Sequence, residues 1–240
     1  RARVAGNDEV GKLAGNFNRM AESLKTLLTR LVSVQENEKK AVAMELHDRI
    51  GPSLSSMLLC IESLKQDAPA DVRRHCSEME TLVRITLADM RQMALTLRPS
   101  ILDDHGLDSA LAQYIEFIGK HSKFHIDYKF VDTTAGRRLP EMAETALYRI
   151  AQEALTNVQR HAEARVVSVV AVHRDREATL CIEDDGKGFD PGAVRGSVNG
   201  GMGIAGMSER AALLGGAFTL ESAPDKGVSI RVSIPLEAQP

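Results

Sequence analysis

The sequence contains no tryptophan, and with six Phe and three Tyr in 240 residues only 4% of its side chains are aromatic. That scarcity removes the stacking platforms on which single-stranded nucleic acid is held. Excess charge of one sign is also missing. The 30 Lys and Arg stand against 33 Asp and Glu, a formal net charge of -3, so no bulk basic field draws the chain toward nucleic acid. The three cysteines, Cys60, Cys76 and Cys181, are scattered, with neither paired nor metal-ligand spacing. They read as reduced thiols of a cytosolic compartment, packed as small hydrophobes. No apolar run approaches the ~20 residues that cross a bilayer. The chain opens on "RARVAGNDEVGKL", without Met or a signal peptide, which reads as a piece of a longer protein.

What is present is helical spacing. From Val10 the apolar residues step in threes and fours through Leu13, Phe17, Met20, Leu24, Leu27, Leu31 and Val34, the seam of a helix that supercoils with a partner. The register falters in "QENEKKA" and resumes through Leu46, Ile50, Leu54, Met57, Ile61 and Leu64, a stutter between two seams. A second helix opens at Asp71, carries Met79, Leu82, Thr86, Met90, Met93 and Leu97 on one face, and ends at Arg98-Pro99. Two antiparallel helices bury little alone, so a dimer forming a four-helix bundle is expected.

The texture then changes. After a polar joint at Asp103 to His105, "GLDSALAQYIEFIGKHS" reads as a third helix. "FHIDYKFV" reads as a strand, Pro140 to Ala162 as a long helix, and "ARVVSVVAVHRDREATLCIED" as a strand hairpin. A Gly-rich stretch, a short helix over Met207 to Leu214 and a second hairpin, "AFTLESAPDKGVSIRVSIPL", close the chain. The expected fold is α plus α/β: a coiled coil over 1–34, a dimerising helical hairpin over 35–105, and an α/β sandwich of sheet against helices over 106–240.

Three polar clusters fall in the last part. In "QEALTNVQRHA", Glu153 and Asn157 lie four apart on one helix face, with His161 a turn further, while Leu147, Ile150, Ala151, Ala154, Leu155 and Val158 stripe the other. Alone, such a face is as well explained by solvent. "IEDDGKGFD" leaves a strand and places Asp184 beside Gly186 and Gly188, a pattern that also makes an ordinary turn. "GGMGIAGMSERAALLGG" runs its glycines, Gly201 and Gly203 among them, into a helix whose N-terminus favours negative charge.

The three clusters in this order resemble the nucleotide-binding boxes of the ATPase fold shared by histidine kinases, DNA gyrase and a heat-shock chaperone. The resemblance implies ATP and Mg²⁺ as cofactors. Asn157 would ligate the ion, Glu153 would hold a metal-bound water, and His161 would belong to the same nucleotide face. Asp184 would accept a hydrogen bond from the adenine amine, with Gly186 and Gly188 letting the backbone close on the base. Gly201 and Gly203 would end a lid running from about Asp190 to Gly200. Val228 stands where the family usually has Thr, which implies weaker adenine binding unless Ser229 supplies the hydroxyl.

"MELHDRIGPSL" then resembles the phospho-acceptor box of the histidine kinases in which Asp follows the acceptor His, the nitrate-sensor-like branch. "LRPSILDDHGLDSAL" resembles that branch's joint between bundle and ATP domain, and "DEVGKLAGNFNRMAESL" the last helix of a HAMP relay. By this resemblance the chain is the cytoplasmic part of a bacterial inner-membrane sensor kinase, anchored through segments outside this sequence. Its partners would be a second copy of itself and the receiver domain of a response regulator, with no direct nucleic-acid contact. His47 would attack the γ-phosphoryl group, with Asp48 orienting its ring, although neighbouring side chains on a helix diverge. Pro52, lacking an N–H for the Asp48 carbonyl, is expected to bend the helix past the acceptor. Gly51 and Pro52 also replace the polar residues associated with phosphatase activity, which implies that this activity is weak or absent. A gyrase- or chaperone-type ATPase and a degenerate dimeric scaffold are the alternatives. The remaining histidines, His75, His105, His121, His125 and His173, have no metal-like spacing and no assigned role.

Overall fold

The apolar spacing around Leu13 to Val34 is carried by one long helix, α1 (Glu9–Glu45). It continues through "QENEKKA", whose Glu, Gln, Lys and Ala are all strong helix formers. This is a computed structural model describing residues 9–66, 68–97, 99–194 and 202–236, and the chain divides into two compact units between Ser100 and Ile101. After α1 the helix widens into a single π turn, Leu46–Ile50, in which the Gly51 N–H bonds the Leu46 carbonyl five residues back. Helix α2 (Gly51–Lys65) follows, with Pro52 in its first turn. Pro52 therefore leaves its mark as a widened turn. The proline ring has no N–H for the Asp48 carbonyl four residues back, and the widened turn stands directly before it.

Helix α3 (Ala70–Leu97) returns antiparallel to α2, with Met90 beside Gly51 and Glu80 beside Lys65. Lys65 Nζ meets Glu80 Oε2 at 2.7 Å, and Arg84 reaches the same carboxylate at 2.8 Å. The Lys65 hydrogen bond, then that of Arg84, hold the Glu80 carboxyl below the usual range. Ala43, Ile61, Cys76 and Met90 are buried, but Leu13, Phe17, Leu24, Leu31, Met57, Leu64, Met79, Leu82 and Met93 stay exposed on the single chain. Arg98 lies outside the described residues.

In the second unit the expected polar joint at Asp103 to His105 is helical instead. Helix α4 (Ser100–His121) includes it and is broken one residue later, at Gly106, where φ is 78°. A five-stranded sheet follows in the spatial order β1-β2-β3-β5-β4. Strand β1 (His125–Asp132) runs parallel to β2 (Val166–Arg174), while β3 (Glu177–Asp184), β5 (Val228–Pro235) and β4 (Ala217–Ser222) pair antiparallel. The parallel β1–β2 pair needs a crossover, supplied by α5 (Glu141–Asn157) and a second π turn, Val158–Ala162. Short α6 (Pro191–Val194) and α7 (Met202–Leu213) lie between β3 and β4. Helix α7 begins five residues earlier than the expected start at Met207.

One face of the sheet is buried by alternation: Val167, Val169 and Ala171 from β2, Ala178, Leu180 and Ile182 from β3, and Ile230, Val232 and Ile234 from β5. These pack with Leu107 and Leu111 of α4, Leu147, Ile150 and Leu155 of α5, and Met207 and Ala211 of α7. Tyr114 of α4 meets Tyr148 of α5 edge to face, with ring centroids 5.9 Å apart. Its hydroxyl bonds Thr156, and burial pushes its pKa up. Because Leu155 is 0% exposed, Leu155→Ala is expected to lower stability by about 2–5 kcal/mol in urea unfolding. A loss below about 1 kcal/mol would mean that this core can collapse around the gap.

Candidate functional site

The α5 helix has one apolar side locked onto the sheet, and this decides where its polar side stands. Glu153 and Asn157, one turn apart, are both half-buried, and His161 is exposed in the π turn beyond them. Helix α7 packs on this face. A Cβ on Gly203 would lie 2.1 Å from Glu153 Oε1, so only a bare Cα lets α7 approach the carboxylate so closely. Thus Glu153 and Gly203 come together as a pair, a carboxylate against the first turn of a helix. The two oxygen donors Glu153 and Asn157 suit a hard cation that keeps most of its own shell of water and phosphate. Among the described residues no group of three or more His, Cys, Asp or Glu side chains could hold a metal ion.

Three backbone segments interlock beside α5. The π turn ends at Ala162, whose carbonyl accepts the Lys187 N–H at 2.8 Å. A Cβ on Gly186 would stand 2.3 Å from the same oxygen. Asp185 Oδ1 accepts the N–H groups of Arg165 and Val166 at 2.7 and 2.9 Å, which hold its carboxyl below the usual range. The Lys187 carbonyl in turn accepts the Asp225 N–H at 2.6 Å. Lys187 Nζ pairs with Glu163 at 2.8 Å. The end of α5, the loop after β3 and the β4–β5 turn are thereby tied into one surface.

Asp184 lies at the centre of this knot and is half-buried. Its Oδ1 accepts the Gly186 N–H at 2.9 Å. Burial raises its pKa above the usual carboxylate value, opposed by the backbone N–H groups of Gly186 and Val228. Gly188 and Gly227 have φ of 56° and 68°, and a Cβ on either would fall 2.1 Å from the Ala223 carbonyl or 1.9 Å from that of Asp184. Both positions demand glycine by conformation and by space.

Sequence reasoning placed Asp184, Gly186 and Gly188 but missed the supporting Asp185, Gly227 and Ser222. The Ser222 hydroxyl accepts the Phe189 N–H and donates to the Gly227 carbonyl, both at 2.9 Å. The signal for Gly227 was present in "DKG", a turn after a strand. Ser229 does not replace the missing threonine. Its hydroxyl donates to Glu183 Oε1 at 3.1 Å, because adjacent residues of β5 point to opposite faces and Val228, not Ser229, pairs with Asp184. Gly201 and the lid beyond Val194 lie outside the described residues. At the described start of the expected lid stretch, Asp190 Oδ1 accepts the Gly192 N–H at 2.8 Å.

In the helical unit His47 is exposed in the π turn, without a hydrogen-bond partner among the described residues. Asp48 is exposed beside it and makes no hydrogen bond to the ring. Adjacent side chains on a helix point in different directions. Arg49 pairs instead with Glu45, and the Ser53 hydroxyl donates to the Arg49 carbonyl at 2.7 Å. Of the other histidines, His173 is buried with Nδ1 3.3 Å from Asp132, and His125 faces Asp127 at 3.0 Å.

Comparison with known proteins assigns both units. Residues 142–238 match the family described as histidine kinase-, DNA gyrase B-, and HSP90-like ATPases. Residues 38–102 match a histidine kinase family. The chain is 30% identical over 237 residues to the signal transduction histidine-protein kinase/phosphatase DegS of Brevibacillus brevis, covering 95% of this chain and 60% of that protein. It is also 30% identical over 212 residues to the oxygen sensor histidine kinase NreB of Staphylococcus carnosus, covering 88% and 60%. The histidine kinase domain of a blue-light-activated histidine kinase of Erythrobacter litoralis superposes with a TM-score of 0.49 at 17% identity, over 77% of this chain and 97% of that one. The second unit is thus an ATP-binding domain of the ATPase class. The chain carries a histidine kinase domain over 38–102 and, over 142–238, the ATPase domain that histidine kinases share with DNA gyrase B and HSP90. It spans 60% of the length of the two curated relatives.

The buried carboxyl of Asp184 gives a two-sided test. Its folded-state pKa lies above the unfolded value, so the ionised group costs stability at neutral pH, and that cost is recovered as pH falls through the folded pKa. Asp184→Asn is therefore expected to keep or raise the nucleotide-free melting temperature at pH 7, with the difference from wild type closing in acid. The same substitution should weaken ATP binding about ten-fold or more in a calorimetric titration, since a charge-assisted hydrogen bond is lost. Unchanged affinity would remove Asp184 from the site.

Proposed function

We propose that this chain is the catalytic part of a sensor histidine kinase, in which ATP held by the second unit donates its γ-phosphoryl group to His47. The observation that carries the proposal is the exposed imidazole of His47, unengaged by described neighbours, in the same chain as an ATP-binding domain. A ring nitrogen attacks the γ-phosphorus, the bond from that phosphorus to the bridging oxygen breaks, and ADP leaves with the electron pair. The other ring nitrogen keeps its proton. Asp48 would offset the resulting positive charge after a change of rotamer that brings it to the ring.

Asn157 would hold Mg²⁺ through its amide oxygen and Glu153 would hold one of the ion's waters. Such an ion would supply charge neutralisation to the phosphates. His161 would belong to the same nucleotide face, Asp184 would take the adenine amine, and Gly186, Gly188, Gly201 and Gly203 would allow the backbone to close on the nucleotide. The exposed seam of Leu13, Phe17, Leu24, Leu31, Met57, Met79 and Leu82 supports a homodimer built on the coiled coil of 1–34 and the hairpin of 35–105, with the ATP domain at 106–240. The phosphoryl group then passes to an aspartate on a response-regulator receiver domain. Among the described residues no helix is long and apolar enough to cross a membrane, and attachment to the inner membrane would come through other segments of the full protein.

Incubation with γ-labelled ATP tests the core of this proposal. Wild type should acquire acid-labile, alkali-stable label, and His47→Gln should acquire none. Label that survives in His47→Gln would sink it. A second expectation follows from Gly51 and Pro52, which offer no side-chain hydrogen bond to orient water. With ADP present, the chain should not speed loss of phosphate from its phosphorylated regulator beyond the spontaneous rate, measured as a time course of regulator label.

A further inference from the structure

The first turn of α5 carries a carboxylate that the nucleotide face does not use. Glu144 is 2% exposed, one of the few charged residues buried among those described. A buried carboxylate needs a partner with good geometry, and Arg138 supplies it. Its Nε lies 3.2 and 3.3 Å from the two carboxylate oxygens and its Nη2 lies 3.0 Å from Oε2. The same Nη2 donates to the backbone carbonyl of Leu102 at 2.6 Å. The break in α4 lies against this pair: Gly106 has φ of 78°, and a Cβ there would stand 2.9 Å from Glu144 Oε1. Leu102 and Leu107, flanking the break, are 1% and 3% exposed in the core of the second unit. One guanidinium, seated on a buried carboxylate, therefore fastens the stretch through which the ATP-binding unit continues from the His47 helices.

We propose that Arg138 is a positioning residue for phosphoryl transfer, holding on Glu144 the Leu102–Leu107 segment by which the chain enters the ATP-binding unit. This rests on the proposed kinase function. A planar guanidinium can serve a carboxylate and a carbonyl together, whereas an ammonium on a flexible stem neutralises Glu144 without bridging to Leu102. Arg138→Lys thus separates the latch from the fold.

Measured on the full chain, Arg138→Lys is expected to keep affinity for a fluorescent ATP analogue within about two-fold and to lower the single-turnover rate of His47 labelling at saturating ATP about ten-fold, as misplacement of reactants does. Amide hydrogen exchange should rise in 101–107 and stay unchanged in 153–157 and 184–188. Unchanged exchange in 101–107 overturns the latch, whatever the kinase activity. Raised exchange with an unchanged labelling rate overturns the positioning role, as does a loss of analogue affinity matching the loss of rate. Wild type that takes no label overturns the kinase reading itself and the positioning role with it, while the exchange measurement still reports on the latch.

Discussion

The second unit depends on the burial of α5 against the sheet. Leu147, Ile150, Ala151, Ala154 and Leu155 are each at most 1% exposed, and they repeat at the spacing that puts one helix side in the core. The sheet answers with alternate residues of β2, β3 and β5. Once that stripe is fixed, the rotation of the helix is fixed, and Glu153 and Asn157 cannot face anywhere but away from it. A one-residue slip of register on the sheet would turn the buried valines outward, so the polar face inherits its accuracy from packing. The same packing places Glu144 under cover at the other end of the helix, where a charge is tolerated only because Arg138 reaches it.

Around Asp184 the constraint is different in kind. Here the backbone comes so close to itself that side chains have been removed: Gly186 against Ala162, Gly188 against Ala223, and Gly227 against Asp184. Glycines cost conformational entropy on folding, and the knot repays it with backbone hydrogen bonds from Lys187 and Asp225 and with the two carboxylates, Asp184 and Asp185. The neighbouring acids differ in environment. Asp185 is exposed and served by two N–H groups, so it stays readily ionised. Asp184 is partly desolvated, and its carboxyl is raised. A partly desolvated acceptor gains more from a specific donor than an exposed one does.

These features were unequally legible in the sequence. Periodicity exposed α5, both hairpins and the antiparallel helices, because burial on one face leaves a repeating mark. The Glu153–Asn157 pair was legible because four residues make one turn. The choice left open at Val228 and Ser229 was not legible, because the direction of Ser229 depends on the register of β5 against β3, and a residue count from the turn did not reveal which of the two would pair with Asp184. The helix through Asp103 to His105 was read as a joint because three polar residues look like a loop. Their neighbour Leu102 is in the core, and the true break is Gly106. The Arg138–Glu144 pair left no local signal, since a buried ion pair between a loop and a helix looks like two ordinary surface charges.

Neither π turn was read from the sequence, yet each falls at a residue of interest and the two do opposite things. In Leu46–Ile50 none of the five residues is buried. The wider turn accommodates Pro52 and leaves His47 and Asp48 in solvent, on a helix that continues without ending. In Val158–Ala162 the first and last residues are buried, so the turn is pinned at both ends. Its closing carbonyl is delivered to Lys187, while Arg160 and His161 stay exposed between the pins. An α-helical continuation would keep the i→i+4 bonds and carry Ala162 along a different path, so the link from α5 to the Asp184 loop depends on this local departure. A π turn is less favourable than an α turn, and it persists where a neighbouring constraint outweighs that preference. At the first site the constraint is a proline ring within the chain. At the second it is a contact made across the fold.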